Sequence, residues 1–132
     1  MRRKTINAAS VQFNHLPDDK AYNPGRIRSF VNNAAKNHTD IVTFPEMCIT
    51  GYWHVRNPAR DKTKTLAEPV PSGQSVQTLQ SLSQENNLII GAGLIEKADN
   101  GEVLNICVSY YKVLNNYYGT LIFFAYVYPN IP

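Results

Sequence analysis

Short apolar runs alternate with longer amphipathic stretches along this chain, a pattern that predicts an α/β fold. Ile6 to Phe13 is short and mostly apolar and reads as a buried strand. His15 to Ala21 is a polar loop containing Pro17. Asn23-Pro24 has the form of a helix start, with Asn as N-cap and Pro at the first helical position. Ile27, Phe30, Val31, Ala34 and Ala35 follow at the spacing of a helix lying on a core. That helix fades near Asn37 to Thr39. Ile41-Val42-Thr43-Phe44, ended by Pro45, is a second buried strand. Strand, helix and strand in this order predict a βαβ unit with parallel pairing.

Met47 to Tyr52 is a tight segment bent at Gly51, and Trp53 to Val70 is a long polar loop carrying Pro58 and Pro69. Ser72 to Asn86 predicts a second helix with Val76, Leu79 and Leu82 on its apolar edge. Leu88 to Ala92 is a third strand, where Gly91 and Gly93 offer sites of close backbone approach. Asp99-Asn100-Gly101 is a hairpin turn signal, with a fourth strand from Val103 to Tyr110 beyond it. From Val113 to Pro132 there is no charged side chain, and Leu121 to Tyr128 is a dense apolar and aromatic run. It is too short to span a bilayer, which needs ~20 apolar residues. It reads either as a core strand or as an exposed, aggregation-prone one.

Composition adds little to this picture. Apolar residues make up 43% and charged residues 17%, as in a globular chain. The net charge of +3 is matched by the end cluster Arg2-Arg3-Lys4, and no basic stripe is interleaved with aromatics, which argues against nucleic-acid binding. The two cysteines, Cys48 and Cys107, are too few for a disulfide scaffold and are not spaced for zinc. They read as packed thiols in a reducing compartment. Ile6 to Phe13 is broken by Asn7, Ser10 and Gln12, unlike a signal peptide, so the expected location is the cytoplasm with no membrane contact.

One carboxylate stands out. Glu46 follows directly on a predicted buried strand, and the C-terminal end of a strand is where α/β sheets place functional groups. Partial burial there would raise its pKa and suit it to general-base work; a strand-end Glu pointing to solvent is the plainer reading. His15, His38 and His54 lack ligand-like spacing. Tyr52 and Trp53 read either as pocket-lining or as core-packed side chains, and His54 beside them as a solvated loop histidine.

The segment Thr43-Phe44-Pro45-Glu46-Met47-Cys48-Ile49-Thr50-Gly51-Tyr52 resembles the first signature of the nitrilase superfamily of carbon–nitrogen hydrolases. Asn7 to Gln12 is similar to that family's first strand, Leu88 to Glu96 to its third, and Gly101 to Asn105 to its hairpin return. The resemblance runs from about Ile6 to about Tyr111, in the family's order and spacing.

The resemblance implies an α-β-β-α sandwich, of which this chain supplies roughly the N-terminal half, residues 1–112, followed by an uncharged aromatic tail, 113–132. It also implies hydrolysis of a non-peptide C–N bond in a small amide, N-carbamoyl amine or nitrile, with no metal or organic cofactor. A cysteine thiolate attacks the substrate carbon to form a thioester, a lysine stabilises the oxyanion, and a glutamate is the general base. Glu46 matches the glutamate. The lysine's stretch reads Asn115 to Phe124 here, with no lysine or arginine after Lys112, which itself comes too early. Neither Cys48 nor Cys107 matches the cysteine motif, which is expected beyond Pro132.

The chain alone is therefore expected to be inactive. Leaving five large side chains of the inner sheet face uncovered would remove ~10 kcal/mol, comparable to a domain's whole stability, and predicts a marginal or partner-dependent fold. A second reading is a non-catalytic interaction protein that pairs through its open sheet face with itself or with a full-length relative, forming an oligomer. A third is an unrelated α/β binding domain whose match is coincidental.

Overall fold

The computed structural model describes residues 5–51, 64–113 and 117–127, with the backbone alone at Asn105 and from residue 110 onward. Its centre is a five-stranded sheet in the order β1-β2-β3-β4-β5. Strands β1 (Ala8–Ser10) and β2 (Ile41–Thr43) are joined by helix α1 (Tyr22–Lys36). Helix α2 (Gln74–Asn86) precedes β3 (Ile89–Lys97), and β4 (Val103–Val113) and β5 (Tyr117–Val127) complete the sheet. β1, β2 and β3 run parallel, and β3, β4 and β5 antiparallel. The change occurs where a helix crossover gives way to the tight turn 99–101, since a hairpin can join only antiparallel neighbours.

Strand alternation places Val42, Ile90, Ala92, Leu94, Ile106 and Val108 on one face, where Ile27 and Val31 of α1 and Val76, Leu79 and Leu82 of α2 bury against them. Each of the Val, Leu and Ile side chains contributes roughly 1.5–3 kcal/mol. Arg28 and Glu85 bridge the two helices at 3.6 Å on the exposed side, a contact worth at most ~1 kcal/mol.

The start of α1 differs from the sequence expectation. Asn23 is not its N-cap: the helix begins at Tyr22, two residues ahead of Pro24, and Asp19 Oδ1 accepts the amides of Tyr22 (2.7 Å) and Ala21 (3.1 Å). Asn23, completely buried, bonds elsewhere. β1 has only three residues because its partner β2 has only three. β3 runs beyond Ala92 to Lys97, since its pairing with β4 continues to Lys97↔Val103 at the hairpin. Gly101 adopts a left-handed φ of 81° there, a conformation glycine takes without a Cβ clash. The aromatic run pairs with β4 as β5.

The opposite sheet face carries a row read directly from the register: Ser10, Thr43, Gly91 and Ser109 stand side by side across β1 to β4. Ser10 and Thr43 are exposed, as expected of a face without a second sheet. The row is small and polar, however, and the large exposed apolar side chains among the described residues are Ile6, Leu16 and Tyr22, none of them in it.

Candidate active site

Pro45 has no N–H for the ladder, so β2 ends and the chain turns over the sheet edge. Phe44 makes the last strand-like bond, its amide donating to Gly91 O at 2.8 Å. Residues 46–50 form a turn closed by the Gly51 amide donating to Met47 O at 2.8 Å. Met47 and Gly51 both take left-handed φ values, 53° and 86°. For Met47 this conformation costs roughly 1–2 kcal/mol, offset by complete burial of its side chain with Ile95 and against Leu66, Ala67 and Val103.

The turn rests on Gly93. A Cβ there would lie 2.6 Å from Met47 N and 2.8 Å from Glu46 Cα, so only a glycine allows this approach. Gly91, expected to play the same part, does not: a Cβ would meet Thr43 and Ser109 side chains at 3.5 and 3.6 Å, ordinary contact. On the helix side, Asn23 Nδ2 donates to Ile49 O (2.9 Å) and Leu16 O (2.8 Å), and Asn23 Oδ1 accepts the Leu16 amide (2.8 Å). The Asp18 amide donates to Thr50 O at 2.8 Å.

Glu46 thus sits at the C-terminal edge of the parallel strands, at the first position of a braced turn. It is exposed rather than partly buried. The sheet and α1 support the turn from beneath, and the residues following Glu46, not Glu46 itself, fill the core.

Cys48 is completely buried, its thiol donating to Gly93 O at 3.5 Å. Burial pushes its pKa up to about 12, so it is held as a neutral thiol. Cys107, half-buried in β4, is also pushed up by burial. Neither has the surroundings of an activated nucleophile. His15 packs edge-on against Phe13 at 5.8 Å, and His38 is exposed beyond α1. Tyr52, Trp53 and His54 lie outside the described residues, as does the Lys112 side chain.

A second charged cluster at this sheet edge had no motif to announce it. Glu68, nearly buried, accepts from Lys20 Nζ and Ser75 Oγ through Oε1 and from the Ser75 amide through Oε2, each at 2.7 Å. Lys20 also donates to Leu66 O at 2.7 Å. Burial alone would raise the Glu68 pKa, but the Lys20 and Ser75 bonds outweigh it and hold the carboxyl below its usual range. A carboxylate shortly ahead of a predicted helix was the available signal, since Glu68 caps the α2 N-terminus. Among the described residues no group of three or more His, Cys, Asp or Glu is placed to hold a metal ion, and no helix is long and apolar enough to cross a membrane.

Comparison with known proteins gives the same frame. A nitrilase from Pyrococcus abyssi is 29% identical over 101 residues, covering 75% of this chain and 36% of that protein. An N-terminal amidase solved with an Asn-Glu-Ala peptide superposes with a TM-score of 0.69 at 21% identity, covering 87% of this chain and 26% of the other. A CN-hydrolase superfamily protein from Xanthomonas campestris superposes with a TM-score of 0.64 at 16% identity, covering 83% and 37%. This chain thus spans about a third of the length of the curated relative it matches. The fold is that of the CN-hydrolase superfamily, in part. Residues 7–112 match the carbon-nitrogen hydrolase family, which takes in Glu46, Gly93 and the Lys20–Glu68 pair. The coincidental-match reading falls with that result: this chain belongs to the carbon–nitrogen hydrolase family.

Proposed function

We propose that this chain contributes the general base of a carbon–nitrogen hydrolase acting on a small linear amide, an N-carbamoyl amine or a nitrile, and that Glu46 is that base. The observation that carries the reading is the seating of Glu46: a strand-end carboxylate on a turn packed against Gly93, inside the family-matched segment. In the thioester chemistry of the family, such a carboxylate takes the proton from the attacking thiol and later from the water that releases the acid. The 132-residue chain is inactive by itself. Cys48 is buried and neutral, Cys107 lies in a strand, and no lysine follows Lys112.

A chimera tests the base assignment. Residues 7–112 replace the matching segment of the Pyrococcus nitrilase, and ammonia release is followed on the three substrate classes. The chimera is expected to turn over at least one class, and Glu46→Gln to lower the rate by about 10²–10⁴-fold. An active chimera indifferent to Glu46→Gln would reject the assignment. The unaltered chain is expected to release no ammonia, and turnover by it would refute the claim of inactivity.

A further inference from the structure

We propose that Asn23 is a positioning residue for Glu46, acting through the backbone of the turn that carries it. The proposal rests on the reading of Glu46 as the base. Asn23 is a wholly buried polar side chain in the first turn of α1, where a helix needs no asparagine. Its amide is fully used between chain segments: Oδ1 takes the Leu16 N–H, and the two Nδ2 protons go to Leu16 O and Ile49 O. The Leu16 bonds fix the loop before α1. The Ile49 bond reaches 26 residues along the chain to the turn 46–50.

On the far side of that turn, Gly93 leaves no room for a Cβ between itself and the backbone of Glu46 and Met47. The turn is gripped between an amide donor on the helix side and a bare glycine on the sheet. Met47, immediately after Glu46, is held at a left-handed φ it would not choose in isolation. Removing the Asn23 amide leaves Ile49 O without its donor and reduces the helix-side grip to the bond from the Asp18 amide to Thr50 O. The turn then relaxes, and Glu46 moves with it.

The test is NMR spectroscopy of the full 132-residue chain and of Asn23→Ala. The expected result is loss of the through-space contact between Gly93 Hα and the Met47 amide proton, with displaced Glu46 and Met47 amide resonances. Val42–Ile90 strand contacts remain as in the wild type. A purely stabilising role would lower the melting temperature and leave the Glu46 and Met47 signals in place, and that result overturns the proposal. Should Asn23→Ala fail to fold, the wild-type chain decides the matter. Asn23 Nδ2 protons that exchange as slowly as the Gly51 amide support the grip, and exchange at the rate of an exposed asparagine overturns it. None of these readouts depends on catalysis, so failure of the base assignment in the chimera is distinguishable from failure here.

Discussion

Lys20 and Glu68 meet at 2.7 Å, 48 residues apart in sequence, and the pair ties the segment that leads into α2 to the entry of α1. Glu68 also bridges to β3, its amide donating to Ile95 O and its carbonyl accepting from Lys97. With Ser75 donating twice to the same carboxylate, one residue joins the loop before α1 and the start of α2 through its side chain, and β3 through its backbone. Glu68→Ala would remove three charge-assisted bonds and leave the Lys20 ammonium facing Leu66 O alone. Hydrogen bonds to charged groups contribute roughly 1.5–3 kcal/mol each, but part of that is recovered by water at the partly exposed lysine. We expect a net loss of about 2–3 kcal/mol. Lys20→Met should cost less than Glu68→Ala, because the Ser75 bonds survive it. Urea unfolding of the two variants checks the order, and equal losses would place the weight on the ion pair instead of the helix cap.

The same carboxylate predicts an acid limb. Its folded-state pKa lies below the ordinary value, so the stability it adds is complete above the unfolded value, ~4.3 for glutamate, and is lost as pH falls through the lower folded value. Glu68→Gln removes the titrating group. Unfolding free energies measured between about pH 7 and pH 3 should therefore fall less steeply for Glu68→Gln than for the wild type. Parallel curves would show that Glu68 titrates alike in both states.

Local patterning made the elements legible and left the long-range polar contacts invisible. The stripe from Ile27 to Ala35 and the strand at Ile41 stand where periodicity put them, because burial on one face forces that spacing. The Asn23-Pro24 signal misled because an asparagine ahead of a proline looks like a cap whether its side chain turns to its own helix or away. Here Ile49 O and Leu16 compete for it, and Asp19 does the capping. Glu68 had only a helix start to mark it, since its lysine arrives from the loop before α1. The position of Glu46 at the sheet edge was readable from the strand and the proline. Its exposure was the plainer of two readings, and partial burial, the other, fails because burial depends on what covers the edge.

Gly93 and Gly91 look alike in the sequence and should respond differently to the same substitution. A methyl at position 93 is driven into the backbone of Glu46 and Met47, which cannot rotate away as a side chain would. Overpacking of this kind costs about 1–3 kcal/mol. At position 91 the methyl meets side chains at ordinary contact distance, and Gly91→Ala should stay within about 1 kcal/mol of wild type. Thermal unfolding of the two variants measures the contrast. In the active chimera, Gly93→Ala should also lower the rate, because the Glu46 turn must lift off β3. A Gly93→Ala protein as stable and active as the wild type would mean that the turn does not depend on this approach.

Cys48 lies two residues from the proposed base and is the thiol a casual reading would choose as nucleophile. Its surroundings argue otherwise. The sulfur is wholly buried in the helix-side core, its proton is given to Gly93 O, and its pKa is pushed up to about 12. At about pH 8 such a thiol is ionised to roughly one part in ten thousand, and the thiolate is the species that reacts. Cys107 is also raised by burial but is only half-buried. Iodoacetamide applied to the native chain should therefore label Cys107 first and Cys48 only after unfolding, as read by peptide mass spectrometry. Because Cys48 acts as core, Cys48→Ala in the chimera should lower stability by about 1 kcal/mol and leave the rate constant of the folded enzyme unchanged. Rapid native labelling of Cys48, or loss of turnover in a folded Cys48→Ala chimera, would return this residue to the chemistry.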